Sequence, residues 1–172
     1  IYYGSENEFF VYDKVVLASH ADESLNILSD PTNQEREILS NFKYRKNIAV
    51  IHHDERAMPK NKKAWCSWNS SLDPYNKEQS SVTYWLNQLQ NLKIDKDIFL
   101  TINPFFKIDP NKIYNKIDFT HPYYDEKALK NQSKLNSIQN INNTLFTGSY
   151  FGYGFHEDGI KSSIEMLKTL ND

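Results

Sequence analysis

Cysteine, glycine and long apolar runs are all scarce in this chain. One of its 172 residues is cysteine, which excludes an internal disulfide and a cysteine-rich zinc site. No run approaches the roughly 20 apolar residues that a membrane-spanning helix needs. The formal net charge is −2, so no excess of positive charge is present to attract nucleic acid. We expect Cys66 to be a small buried residue and not a nucleophile.

Apolar side chains are plentiful, and they exclude global disorder. The hydrophobic fraction is 39% and the aromatic fraction 14%, enough for a packed core in one domain or in part of a larger one. The chain opens at Ile1 without Met and without a signal region. This start predicts the C-terminal part of a longer, cytoplasmic protein, and a trimmed but complete small domain is the alternative.

Extended and helical patterns mix along the chain. Residues 15–18 form a continuous apolar run, typical of a strand that is buried on both faces, and several strands follow in the middle. Residues 144–147 predict a short late strand. Residues 156–170 predict an amphipathic helix with Ile160, Ile164, Leu167 and Leu170 on one stripe. We therefore assign the chain to the α+β class, as an α/β fragment with an antiparallel or mixed sheet.

The glycines are concentrated in one place, between the late strand and the last helix. Four of the five lie from Gly148 to Gly159, where the main chain must turn tightly or approach another surface. A helix N-terminus also favours negative charge, so the junction suits a flat ring that becomes negative on reduction, such as flavin. The alternative is tight packing, with Glu157 and Asp158 complementing the helix dipole. The pattern is neither a dinucleotide GxGxxG nor a phosphate loop. Aromatic residues interleave with the glycines: Tyr150, Phe151, Tyr153 and Phe155.

Residues 145–148 and 152–159 resemble the C-terminal flavin-binding segment of FAD-dependent amine-oxidase-like oxidoreductases. The resemblance is closest to the bacterial predicted NAD/FAD-binding proteins. Further matching stretches occur in the right order along nearly the whole chain: 15–22, 44–52, 54–59, 64–69, 82–87 and 103–104.

The resemblance implies a two-domain enzyme that oxidises an organic substrate by hydride transfer to FAD. Its N-terminal Rossmann-like part, with the GxGxxG that grips the ADP half of FAD, has no counterpart in this chain. Residues 1–20 would return toward the FAD domain, 21–142 would form the substrate-binding domain, and 143–172 the strand-turn-helix of the FAD domain. The chain alone would be inactive or nearly so.

Two other functions stay open. One is a non-catalytic ligand-binding or scaffold domain that kept the fold and lost the chemistry. The other is a lipid desaturase or isomerase of the same flavin superfamily, for which an apolar tunnel lined by Phe99, Phe105 and Phe106 would be the mark.

The resemblance also implies site residues. Lys46 and His156 are candidates for catalysis, although no catalytic residue is assigned, and Ser149 stands where many relatives have an acidic residue. The substrate candidates are Trp65, Trp68 and Asn103. Since the two tryptophans lie three apart in an extended segment, one should pack in the core and the other border the site. The residues expected to bind FAD are Ser19, His20, Gly148, Ser149, Tyr150, Gly152, Tyr153, Gly154, Phe155, His156, Glu157, Asp158 and Gly159.

The run His52-His53-Asp54-Glu55 has the residue types that bind metal ions. Adjacent residues of a strand point to opposite faces, so all four cannot converge on one ion, and we expect polar caps at a strand end and no metal. The lysines beside Trp65 fit a solvated loop better than a nucleic-acid site. The expected partner is therefore a small-molecule substrate. The oligomeric state is left open.

Overall fold

The structure, a computed structural model, describes the backbone of residues 2–3 and all of residues 10–170. Residues 4–7, between the aromatic residues 2–3 and 9–12, have the composition of a hairpin turn, and this prediction lies outside the described residues. The described part has the strands β1 (Tyr2–Tyr3), β2 (Phe10–Val11), β3 (Val15–Leu17), β4 (Lys43–His52), β5 (Trp68–Leu72), β6 (Ser80–Trp85), β7 (Phe99–Ile102), β8 (Ile113–Tyr123) and β9 (Thr144–Phe146). Its α-helices are α1 (Ala21–Ile27), α2 (Asn33–Leu39), α3 (Leu86–Leu89), α4 (Glu126–Gln132) and α5 (His156–Lys168).

The chain divides into two compact units, and the α+β class is confirmed. Unit 1 comprises residues 1–45 and 122–172, and unit 2 comprises residues 46–121. Unit 1 holds a parallel pair of strands and most of the helices, whereas unit 2 contains most of an antiparallel sheet. The three-segment division expected from the resemblance stays a prediction. No helix in the described residues is both long and apolar enough to cross a bilayer.

The parallel pair β3–β9 lies at the centre of unit 1. Val15 pairs with Thr144 and Leu17 with Phe146, so the two strands run side by side and end at the same edge. Leu17 and Phe146 enter the core with α2, α4 and a short 3-10 turn at Leu135–Ile138. The prediction that β3 is buried on both faces is wrong, because Val16 is 43% exposed in the described structure.

Helix α5 has the predicted amphipathic pattern, but its apolar stripe does not face this unit. Ile160, Ile164 and Leu167 are each more than half exposed. The helix contacts the unit through the opposite face, where the Ser162 hydroxyl lies 2.7 Å from the Thr147 hydroxyl and accepts the Gly148 N–H at 3.0 Å. Within the described residues, the hydrogen bonds of Ser162 and the buried side chain of Met166 therefore orient α5.

Unit 2 is built on a five-stranded sheet in the order β5-β6-β7-β4-β8. One face of this sheet is buried although it carries polar side chains, among them Thr83, Thr101 and His52. The Thr83 and Thr101 hydroxyls are 2.9 Å apart, and Thr101 lies 2.7 Å from His52 Nε2. The Thr83 and Thr101 hydroxyls and the His52 imidazole therefore have partners, which reduces the cost of burying them, whereas the buried Ser81 hydroxyl on the same face has none.

His52 is held in its neutral form by the groups around it. Its Nδ1 accepts the main-chain N–H of Asp54 at 3.0 Å, so the ring proton lies on Nε2 and points at Thr101. A second proton on Nδ1 would face that N–H. Burial, opposed by the nearby charge of Asp54 and assisted by His53, lowers the pKa of His52 to about 4.

We expect unit 2 to lose stability as the solution is acidified, because the unfolded chain binds a proton that the folded chain excludes. The folded pKa of about 4 lies below the unfolded value of 6.5, so this stability is complete above 6.5 and is lost toward 4. The free energy of unfolding should fall by about 2 kcal/mol from about pH 7 to about pH 5. Urea unfolding followed by tryptophan fluorescence measures it.

Tryptophan reports on unit 2 because Trp65, Trp68 and Trp85 all belong to it. His52→Gln should remove the pH dependence, whereas His156→Gln, which changes an exposed histidine of unit 1, should retain it. An unchanged free energy across this pH interval in the unsubstituted chain would contradict the neutral, buried state of His52.

Candidate functional site

The carboxyl ends of β3 and β9 bring together the two segments expected at the cofactor. A methyl group placed on Gly148 would lie 3.5 Å from the carbonyl oxygen of Ser19. Helix α1 begins directly after His20, and α5 begins at His156. In open α/β sheets, ligands bind outside the carboxyl ends of the parallel strands. We call Ser19, His20 and residues 148–159 the carboxyl-edge site.

Asp158 organises the turn that leads into α5. Its Oδ2 accepts the main-chain N–H groups of Tyr153 and Phe155, both at 3.0 Å. The carboxylate thus binds the start of the helix, which agrees with the alternative in which Asp158 serves the packing and the dipole of α5. Its neighbour Glu157 pairs with Lys161 at 3.6 Å on the exposed helix surface.

The glycines of the turn are required mainly by the chain's own packing. A methyl group on Gly152 would lie 2.4 Å from the Asp158 carboxylate, and Gly154 has φ of +92° with Tyr124 Oη 3.0 Å from its methyl position. A methyl group on Gly148 would meet the Tyr150 ring at 2.7 Å. Only Gly159 has ordinary space, with its nearest neighbour at 3.8 Å. The location of the cluster was therefore informative, but contact with a cofactor is not needed to explain three of its members.

Main-chain donors and aromatic rings remain open at the carboxyl-edge site. The N–H groups of His156 and Glu157 open α5, where a helix has no internal acceptor for them. The rings of Tyr153 and Phe155 are largely exposed beside them. Tyr150, by contrast, lies in the core against Phe42, so only its main chain belongs to the edge. These donors and rings could meet an electron-rich edge and a flat ring face.

Tyr44 supports the other side of the site and was missed by the sequence analysis. Its ring stacks on His20 with centroids 4.2 Å apart, and its hydroxyl accepts the Ala21 N–H at 2.9 Å. Burial raises the pKa of this phenol well above its usual range. Ser19 is held by a 2.9 Å contact between its hydroxyl and that of Ser24. Only the tertiary structure could reveal Tyr44, because it lies 24 residues after His20 on another element.

A cavity of about 250 Å³ lies beside the turn within unit 1. Its lining includes Gln132, Asp158 and Lys161. Gln132 donates through its Nε2 to the carbonyl groups of Tyr150 and Gly152, which ties α4 to the turn. The junction is therefore next to a cleft and does not lie in a dry interior.

The substrate candidates of unit 2 are placed differently from one another. Trp65 packs edge-on against Trp85 and Phe99, with centroids 5.4 and 5.6 Å away, whereas Trp68 is 66% exposed. Phe99 is fully buried in this core, so it does not line a tunnel. Phe105 and Phe106 pack edge-on against each other, and Lys46 is exposed.

Cys66 and the run of residues 52–55 are the remaining parts of unit 2 for which the sequence made a prediction. Cys66 is exposed and not buried as expected, because Trp65 next to it turns inward. In the run of metal-type residues, His52 and Asp54 are fully buried, and Asp54 binds Arg56. No group of three or more potential metal ligands occurs in the part of the chain that the structure describes.

The second face of the unit 2 sheet is apolar although it is not fully covered. Register places Trp68, Tyr84, Leu100 and Ile51 in one row across four strands. The next row is Ser70, Val82, Ile102 and Ala49, in which Ser70 is exposed and Ala49 is buried. Antiparallel sheets usually bury one apolar face and expose a polar one, whereas apolar side chains occur on both faces of this sheet, since Phe99 is on the buried face. We call Trp68, Tyr84, Leu100, Ile51, Val82 and Ile102 the apolar face; all but Trp68 are half-buried.

Comparisons with known proteins give a likeness of fold. No protein-family model matches the chain, and no curated protein matches it. Among solved structures, the chain is similar to the crystal structure of the CLA-producing fatty acid isomerase from P. acnes, with a TM-score of 0.58 and 16% sequence identity. The match covers 91% of this chain and 41% of that chain, so the sequence spans less than half of the isomerase's length.

Proposed function

We propose that this chain is the C-terminal part of a flavin-dependent enzyme that acts on a lipid, as a desaturase or isomerase. The observation that carries the proposal is the carboxyl-edge site, where Ser19 and His20 meet residues 148–159 at the ends of two parallel strands. These are the segments for which the family resemblance implies contact with FAD. The main-chain N–H groups of Ser149, His156 and Glu157 would bind its flavin half, and Tyr153 and Phe155 would flank it.

FAD, when bound, supplies an acceptor for hydride from a substrate carbon. The residues of this chain fit the flavin half of the cofactor, because α5 presents free donors and the rings beside it are exposed. Its ADP half requires a separate dinucleotide-binding domain. Such a domain would cover the exposed stripe of α5 and extend the two-stranded parallel sheet, since parallel sheets normally occur with both faces covered.

Two observations favour a lipid as the organic substrate, whose identity the resemblance left open. One solved structure with a similar fold is a fatty acid isomerase. The apolar face of unit 2 offers aromatic and aliphatic side chains and has no charged member, which suits a hydrocarbon chain. Oxidation of another organic substrate by FAD is the second candidate, supported by the resemblance to the amine-oxidase-like enzymes.

Titration with FMN tests the flavin assignment. We expect FMN to shift the amide NMR signals of residues 19–20 and 148–157, because FMN carries the isoalloxazine ring without the ADP half. His156→Pro should weaken this binding about tenfold, since proline removes one N–H donor. The helix should survive, because proline is tolerated at the first helical position and Phe155 has the extended conformation that precedes it well.

His156→Ala is the matched control, because it removes the imidazole and retains the N–H. It should bind FMN as the unsubstituted chain does, and AMP should shift none of these signals. Equal weakening by both substitutions would assign the contact to the imidazole. Shifts confined to other surfaces would contradict the proposed flavin site.

A further inference from the structure

The apolar face ends on a row of polar side chains. Asn103 follows β7, and Asn47 lies on β4 two residues before Ala49, which pairs with Ile102. Asn103 Nδ2 donates to Asn47 Oδ1 at 2.6 Å, and Asn47 Nδ2 lies 3.4 Å from His121 Nδ1 on β8. His121 also contacts the ring of Phe119, with centroids 4.8 Å apart. We call Asn103, Asn47 and His121 the polar row.

The hydrogen bonds of the polar row determine which atom faces outward. The main-chain N–H of Ile48 donates to Asn103 Oδ1 at 2.9 Å, which fixes the orientation of that amide. Asn103 then donates to the oxygen of Asn47, so the NH₂ group of Asn47 faces His121 Nδ1. A neutral histidine that accepts on Nδ1 carries its proton on Nε2. The row therefore ends on an Nε2–H donor of an exposed imidazole.

We infer that unit 2 binds an acyl chain along the apolar face and holds its head-group carbonyl oxygen on the Nε2–H of His121. This inference rests on the proposed lipid function. The longer row lies four residues from the polar row along β4, from Asn47 to Ile51, or about 13 Å at the usual rise, so a hydrocarbon chain held at His121 would extend along the strand direction over the apolar face. A donor at one end and no charged side chain along the rows complement a ligand that is polar only at its head.

The physical basis is the incomplete covering of the apolar face. The opposite face of the sheet is buried, with Phe99 in its core, whereas Tyr84 and Leu100 are only half-buried and Trp68 is exposed. Leaving such side chains in water costs roughly 25 cal/mol per Å² of apolar surface, which a bound hydrocarbon would recover. Asn103, expected at the substrate from the resemblance, acts here as a positioning residue for His121.

Binding of dodecanoate and of methyl dodecanoate to the 172-residue chain, below their micelle concentrations, tests the inference. Both present a carbonyl oxygen, so both should shift the amide signals of β5, β6, β7 and β4; tighter binding of the free acid would identify a carboxylate head. His121→Phe retains an aromatic ring against Phe119 and removes the donor, so it should weaken both about tenfold. Asn103→Asp should also weaken binding, since it disturbs the row that sets the tautomer.

Leu100→Thr and Thr83→Val form a matched pair on the two faces of the sheet. Leu100→Thr should weaken dodecanoate binding at least threefold, whereas Thr83→Val, on the buried face, should leave it unchanged. Equal binding to every variant would show detergent-like association and overturn the inference. A dimer in sedimentation that Trp68→Ser dissociates would show that a second copy covers the face, and would also overturn it.

The dodecanoate experiment and the FMN experiment can succeed or fail independently of each other. Dodecanoate binding needs no flavin, so shifts on the apolar face without any FMN response would support the acyl site and remove the flavin site. FMN shifts at the carboxyl-edge site without a response to either dodecanoyl compound would do the reverse.

Discussion

Asp54→Ala is expected to lower the free energy of unfolding of unit 2 by about 4 kcal/mol, because a buried carboxylate there joins two distant loops. Arg56 Nε donates to both carboxylate oxygens, at 2.9 and 3.0 Å. The main-chain N–H of Asp109, 55 residues away, donates to Oδ2 at 3.0 Å. The Lys112 ammonium lies 3.7 Å from Oδ1. These contacts, led by the Arg56 hydrogen bonds, hold the pKa of Asp54 well below its usual range.

Alanine at this position would leave the N–H groups of Arg56 and Asp109 without their acceptor. Glu55→Ala is the matched control, since Glu55 is the adjacent carboxylate and pairs with Lys62 at the surface, 3.0 Å away. Exposed pairs contribute little, so this substitution should change stability by less than about 0.5 kcal/mol. Asp54→Asn should lie between the two, because it retains an acceptor oxygen. Urea unfolding at neutral pH measures all three, and equal losses for positions 54 and 55 would contradict the role given to Asp54.

The sequence could predict that adjacent residues of the 52–55 run point to opposite sides, but not which of them are buried or what they meet. Strand alternation separates His52 and Asp54 from their neighbours, and both are fully buried. Their partners come from Thr101 on β7 and from the loop at Asp109. Such long-range contacts have no signal in the local sequence. Asp54 was expected to be a polar cap at the end of a strand, and instead it connects two loops.

For the glycine cluster, the sequence predicted where the turn lies but not why glycine is required there. A concentration of glycine predicts a turn with an unusual steric demand, and the turn is present at the carboxyl ends of the parallel strands. The demand comes largely from Asp158, Tyr124 and Tyr150, which are neighbours within the chain. The glycine counts thus located the turn, whereas the reason for the glycines required the packing.

The apolar face could not be predicted from the sequence, for a different reason. Alternation within β6 separates Val82 and Tyr84 from Thr83, but it does not say which set is buried, and the usual preference would bury the apolar one. The cross-strand register then decides which side chains form a row. Trp68 was expected near the substrate on resemblance alone, and its row with Tyr84 and Leu100 became visible only in the paired sheet.

Gly152→Ala is expected to lower the free energy of unfolding of unit 1 by about 3 kcal/mol, whereas Gly159→Ala should leave it unchanged or raise it by up to about 1 kcal/mol. The new methyl group at position 152 would lie 2.4 Å from the Asp158 carboxylate and displace it from the N–H groups of Tyr153 and Phe155. That substitution combines overpacking with loss of a helix cap.

Position 159 lies inside α5, and a methyl group there would be 3.8 Å from its nearest neighbour, the main-chain nitrogen of Ser149. Alanine at this position therefore gains helix propensity without a clash. Thermal unfolding followed by circular dichroism, with FMN titration of both variants, measures the pair. Gly159→Ala should also report on the proposed cofactor: a stable variant that no longer binds FMN would show that the flavin approaches this glycine from outside. Gly152→Ala with unchanged stability would mean that Asp158 does not hold the turn, and the donors of α5 would then lack the fixed geometry on which the flavin site depends.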